Sequence, residues 1–137
     1  MHIVVVNIIF VTTIKLLNMR QLTFASLQVQ NLEASKEFYV QKLGFEIGDT
    51  NPQACVFKYA SGQASFAIRT PLEPIEGKEL GIGVALWFSI DENVDELKEK
   101  FITNGVTTAG PIIDTPFGRA FHVKDPDGYK LTFLETK

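Results

Sequence analysis

Cysteine is almost missing from this sequence: Cys55 stands alone among 137 residues. That excludes an internal disulfide and any cysteine-built zinc cluster, and it fits a reducing, cytoplasmic compartment. Flanked by Ala54 and Val56, Cys55 reads as a buried structural thiol rather than a nucleophile. A charge excess of either sign is missing too. Lys and Arg number 13 against 16 Asp and Glu, a net charge of -3, so no basic stripe is available to neutralise phosphates and nucleic acid is excluded as the main partner. No apolar run approaches the roughly 20 residues that a membrane span requires. The strongest, Ile3 to Phe10, has no Lys or Arg before it, has Lys15 soon after it and lacks a small-residue cleavage pattern. Residues 1–18 therefore read as an N-terminal extension, an appended strand or an upstream-start extension rather than a leader, in front of one domain over 19–137. Low-complexity tracts are also lacking. With 45% hydrophobic and 21% charged residues the composition is that of a soluble globular domain. At this length such a domain buries about two-thirds of its extended-chain surface.

What is present is a periodic pattern that occurs twice. Phe24, Leu27 and Val29 mark a strand over 23–29, and Asn31 stands at a helix N-cap. Leu32, Phe38, Tyr39 and Leu43 recur near a 3.6-residue period, which predicts a helix from Leu32 to Leu43 stopped by Gly44. Strands are expected at Phe45 to Ile47, Cys55 to Tyr59 and Ala64 to Arg69, with turns at Asn51-Pro52 and Ser61-Gly62. After a Pro- and Gly-bearing connection, Pro71 to Gly83, the order resumes. A strand is expected over Val84 to Ile90, then Asp91 as N-cap, and a helix on Val94, Leu97 and Phe101 ended by Gly105. Further strands are expected over Thr107 to Ile112, Ala120 to Lys124 and Leu131 to Leu134.

The two helix-stopping glycines lie 61 positions apart, as duplication of one supersecondary unit requires. The expected fold is α+β: two βαβββ modules, about 22–70 and 83–135, with eight strands and two helices. With a helix over one face of each sheet, the remaining faces form a half-open curved-sheet cleft suited to a small ligand.

Two stretches, LQVQNLEASKEFYVQKLGF from Leu27 and PFGRAFHVKDPDGYKLTFL from Pro116, resemble the vicinal oxygen chelate superfamily, the glyoxalase, bleomycin-resistance and dioxygenase group. The DPDG of the second stretch also has turn chemistry of its own, since Pro126 presets φ and Gly128 relieves a position that needs φ above zero. Metal-dependent members hold a divalent ion with His and Glu side chains on four strands. The resemblance carries those positions onto Phe24, Ala67, Ala85 and Thr132. Phenyl and methyl groups donate no lone pair and a neutral hydroxyl is a poor ligand, so no metal and no other cofactor is expected. The only histidines, His2 and His122, fall outside those positions.

Strand alternation uses the lost metal positions as markers, because residues two apart share a face. It directs Phe24, Ser26, Gln28, Arg69, Trp87, Thr132 and Leu134 into the cleft, with Phe24, Trp87 and Leu134 as an apolar floor, and the resemblance implies that His122 on the strand before DPDG also points inward. Arg69 equally suits a solvent-facing strand end, and His122 a hydrogen-bonded cross-strand partner. The expected function is metal-free binding of a small organic molecule, with sequestration of a toxic or antibiotic compound as one form, by a cytoplasmic homodimer. The alternative is an enzyme of the same superfamily, a lyase, isomerase or dioxygenase, that uses His122 as catalytic base or an unrecognised metal site. An interaction module with a vestigial cleft is a third class.

Overall fold

The computed structural model describes residues 19–136; the expected strand in the N-terminal extension lies outside them. Strand β1, Phe24–Gln28, leads to helix α1, Leu32–Glu37, whose Ala34 N–H donates to the Asn31 side chain at 3.0 Å. The helix does not run on regularly to Leu43. It widens over Phe38–Lys42 into a π turn, in which the Leu43 N–H donates to the Phe38 carbonyl. The widened turn carries the adjacent Phe38 and Tyr39, both buried, against the sheet. Phe45, expected to open a strand, donates its N–H to the Tyr39 carbonyl and turns its ring inward. Strand β2 therefore starts later, at Ile47–Asn51, and is exposed throughout. Strands β3, Ala54–Phe57, and β4, Ser65–Arg69, complete the first module.

In the second module β5 spans Leu86–Ile90, leaving Ala85 outside the strand. A turn closed by the Val84 N–H on the Gly81 carbonyl, with Gly83 at φ 78°, delays its start. Asp91 is not the N-cap of helix α2, Val94–Thr103. Asn93 is, accepting the N–H groups of Asp95 and Glu96 at 2.9 and 3.1 Å. The single strand expected over Thr107 to Ile112 is instead β6, Thr107–Thr108, and β7, Ile113–Thr115. Gly110 at φ 83° and Pro111, which has no N–H, interrupt the ladder between them. With β8, Gly118–Lys124, and β9, Lys130–Thr136, the described residues hold nine strands where eight were expected.

Each module closes in the same order, first strand beside last. The first sheet runs β1-β4-β3-β2 and the second β5-β9-β8-β6, with β7 also on β8. The first strand is parallel to the last in both, and the other pairs are antiparallel. This is the expected duplicated α+β fold. One aromatic seam joins the two cores: Phe66 meets Phe88 at 5.2 Å between centroids, Phe45 meets Phe88 at 5.1 Å, and Phe88 stacks on Phe133 at 5.6 Å.

The DPDG turn also joins the modules. The Tyr39 hydroxyl donates to Asp125 at 2.7 Å, the Gln30 N–H donates to Asp127 at 2.9 Å, and the Tyr129 hydroxyl donates to the Gln28 carbonyl at 2.8 Å. The motif is thus both a local turn and a clasp from β9 back to the start of α1.

Candidate functional site

The inward positions of β1, β4, β8 and β9 (Leu27, Phe66, Ile68, Phe121, Val123, Leu131 and Phe133) are buried in the common core. Alternation then places the sequence-predicted site residues on the opposite faces, and the ladder registers fix their neighbours. On the first sheet Ser26 pairs with Ala67 and Gln28 with Arg69, while Phe24 pairs with Ser65. On the second sheet Trp87 pairs with Thr132, which pairs with His122; one row beyond, Ser89 pairs with Leu134 and Leu134 with Ala120. The structure thus brings Trp87, Thr132, His122 and Leu134 together. No hydrogen bond or ring contact links them to Phe24, Ser26, Gln28 or Arg69 among the described residues. Of the residues expected to form an apolar floor, Leu134 is buried, whereas Phe24 and Trp87 are 57% and 44% exposed.

The polar members are held by short-range bonds. Gln28 accepts the Leu72 N–H at 2.9 Å, and the Arg69 Nε donates to the Thr70 carbonyl at 3.0 Å. His122 Nδ1 lies 2.7 Å from the Thr132 hydroxyl, and Thr132 is only 3% exposed. Burial pushes the His122 imidazole below its ordinary pKa, and the neighbouring Lys130 ammonium adds to the effect. The folded protein therefore binds less proton at His122 than the unfolded chain does. His122 supplies stability that is present above the ordinary value near 6.5 and lost as pH falls through the depressed one. A proton NMR titration is expected to place the His122 midpoint below that of a free imidazole; a midpoint at or above it contradicts the burial seen here.

The four positions onto which the resemblance carries metal ligands offer one donor atom. Phe24 and Ala67 have none, Ala85 lies in the loop before β5, and Thr132 has only a neutral hydroxyl, which is bonded to His122. Among the described residues no three His, Cys, Asp or Glu side chains converge. These residues do not fit a divalent ion.

A groove of about 910 Å³ runs along the whole of edge strand β5, lined also by Ala25 of β1, by Ser65 and Phe66 of β4 and by residues of α2. Phe45, Phe66, Phe88 and Phe133 line it, with Lys58 and Lys100 among its polar residues. Of the residues predicted for the site only Trp87 reaches it. The rest of its lining was not legible as a site, because an aromatic at an inward strand position has the same period whether it packs in a core or faces a gap.

Among solved structures, an antibiotic-binding protein (TnmS3) from Streptomyces sp. CB03234 is similar at 22% identity and TM-score 0.69, covering 88% of this chain and 98% of its own. A superfamily member from Sphaerobacter thermophilus DSM 20745 is 26% identical at TM-score 0.66, with coverage of 85% and 98%. A lactoylglutathione lyase from Agrobacterium tumefaciens is 19% identical at TM-score 0.65, with coverage of 86% and 95%. A search among curated proteins finds no match. With a family model matching residues 21–133 added to this shared fold, the chain belongs to the Glyoxalase/Bleomycin resistance protein/Dioxygenase superfamily.

Proposed function

We propose that this protein is a metal-free binder of a small organic molecule, sequestering a toxic or antibiotic compound in the cytoplasm as a homodimer. The observation that carries this reading is the row Trp87, Thr132, His122. At the position where a metal-dependent relative would present a carboxylate, Thr132 presents a hydroxyl bonded to His122, and beside it stands a partly exposed indole. Chemistry that needs a Lewis acid has no ligand set here, whereas binding needs an apolar platform and a few fixed polar groups. The similar Streptomyces protein, an antibiotic-binding protein, is in keeping with it. Pairing of two chains would cover the open faces of the sheets, and the exposed Phe24 and Trp87 favour such a cover.

A second reading, an enzyme of the same superfamily, is favoured by His122, a half-buried imidazole on an open face with its charged form disfavoured. Native mass spectrometry of protein purified without chelator separates the two. The expected spectrum is a dimer with no stoichiometric transition metal, retaining or accepting an organic ligand. A tightly held divalent ion in each chain overturns the metal-free reading, and a monomer at micromolar concentration overturns the dimer.

A further inference from the structure

We infer that His122 presents a fixed Nε2–H to the open face of the second sheet and that, with the Lys130 ammonium, it takes the negative end of a planar aromatic acid stacked on Trp87. The inference rests on the binding reading above and adds the ligand class and the role of His122.

Thr132 is buried, and its hydroxyl has no partner among the described residues other than His122 Nδ1, at 2.7 Å. If Nδ1 carried the proton, the ring would donate and the buried O–H would be left without an acceptor, a costly arrangement. If the hydroxyl donates to Nδ1, the O–H of Thr132 and the lone pair of Nδ1 are satisfied together. The neutral ring then carries its proton on Nε2. The outward nitrogen is a donor with no lone pair, so in this state His122 recognises an acceptor and cannot serve as a base. Thr132 is the positioning residue that fixes this tautomer.

Counting by alternation, the open face of β5, β8 and β9 carries Trp87 and Ser89, then Ala120, His122 and Lys124, then Lys130, Thr132, Leu134 and Thr136. None is Asp or Glu. The acidic residue of β9, Glu135, points the other way and accepts the Val94 N–H at 2.8 Å. In a chain of net charge -3 this face is locally cationic, and the charge of Lys130 is close enough to disfavour the imidazolium of His122. Strands β5 and β8 flank β9, so the backbones bearing Trp87 and His122 are separated by about 10 Å. With both side chains rising from the face, that suits a flat ring over the indole and a carboxylate turned toward β8 and Lys130. Arg69, on the other sheet, is not needed as the anchor.

The test uses nitrogen-labelled protein with cinnamate and naphthoate, each beside its primary amide. Long-range nitrogen correlation spectra of the free protein are expected to show His122 protonated at Nε2. The acids should bind about tenfold tighter than their amides, the margin of a charge-assisted bond, shifting both the Trp87 indole and the His122 ring. Lys130→Gln, at an exposed position, should weaken the acids about fivefold and leave the amides unchanged. Thr132→Val should free the tautomer and shrink the acid-to-amide ratio while stacking on Trp87 persists. An Nδ1–H tautomer overturns the inference, as do amides that bind as tightly as acids, and in both cases small-molecule binding at Trp87 stands. If neither acids nor amides perturb Trp87, the binding reading fails with it.

Discussion

Replacing Asp125 by Ala is expected to lower the unfolding free energy by about 3 to 5 kcal/mol, near the upper end for a single substitution. Asp125 is 6% exposed and its carboxylate accepts three bonds: the Tyr39 hydroxyl at 2.7 Å on one oxygen, and the N–H groups of Asp127 and Tyr129 at 2.9 Å on the other. Truncation leaves three donors without acceptors, one of them on the fully buried Tyr39, and each such loss costs about 1 to 3 kcal/mol before relaxation. The damage is not local, because Tyr39 belongs to the first module and Asp125 to the second. The charge itself is a burden. Burial raises the Asp125 carboxyl above its ordinary range, against the opposing pull of the Tyr39 and backbone bonds, and the same surroundings push the Tyr39 phenol upward. The folded state thus keeps the Asp125 proton to higher pH than the unfolded chain. Stability from this group is full below about 3.8 and declines as pH rises through the folded value. Asp125→Asn keeps an oxygen for the two N–H groups and offers its amide to the Tyr39 oxygen. Only the buried Tyr39 O–H then lacks an acceptor, so this variant should cost about 1 to 3 kcal/mol, less than the Ala variant, and remove that decline. Urea unfolding of both variants at acidic and neutral pH is the measurement. An Asn variant as damaged as the Ala variant would show that the carboxylate charge is required.

The contrast between Asp125 and the strands shows which features a sequence carries openly. Local events were legible: Asn31 as a cap, Gly44 and Gly105 as stops, the turn chemistry of DPDG, and the faces of β1, β4, β5, β8 and β9 through their period of two. Each depends on residues within a few positions of one another. The errors arose where a short-range preference met a competing partner. Phe45 has the composition of a strand opener, yet a space among Phe57, Phe66 and Phe88 draws it into the core. Asp91 and Asn93 are both good caps, and where β5 ends decides between them. Gly110-Pro111 splits a run that alternation alone joins. Alternation says which residues share a face, but not what stands opposite that face. It therefore grouped Phe24 and Gln28 of the first sheet with Trp87 and His122 of the second without giving the distance between the two sets, and gave no sign of the groove along β5 or of the reach of the DPDG clasp into α1.

Replacing Gly118 by Ala is expected to cost about 3 kcal/mol or more, and to disturb the candidate site from a distance. Gly118 opens β8 at φ 144°, which side-chain-bearing residues rarely adopt, and a Cβ there would run into the Glu135 carbonyl oxygen of β9. Neither backbone is free to yield. Thr115 holds Gly118 from one side, its hydroxyl donating to the Gly118 carbonyl at 2.6 Å and accepting the Gly118 N–H at 3.1 Å. Glu135 is held from the other, since its carboxylate accepts the Val94 N–H at the start of α2. Relief of the clash must open the β8–β9 ladder at the Gly118–Thr136 pair, and the strain runs along the same two strands to His122 and Thr132. Gly62→Ala is the control. Gly62 also has positive φ, 83°, but its Cβ would meet nothing within 4 Å, so strain alone should cost about 1 kcal/mol. Denaturant midpoints at unchanged slope measure both variants. Hydrogen exchange should show the amides of β8 from Ala120 to His122 opening faster in Gly118→Ala only. If the two variants lose equal stability, steric closure between β8 and β9 is not what requires glycine at this position.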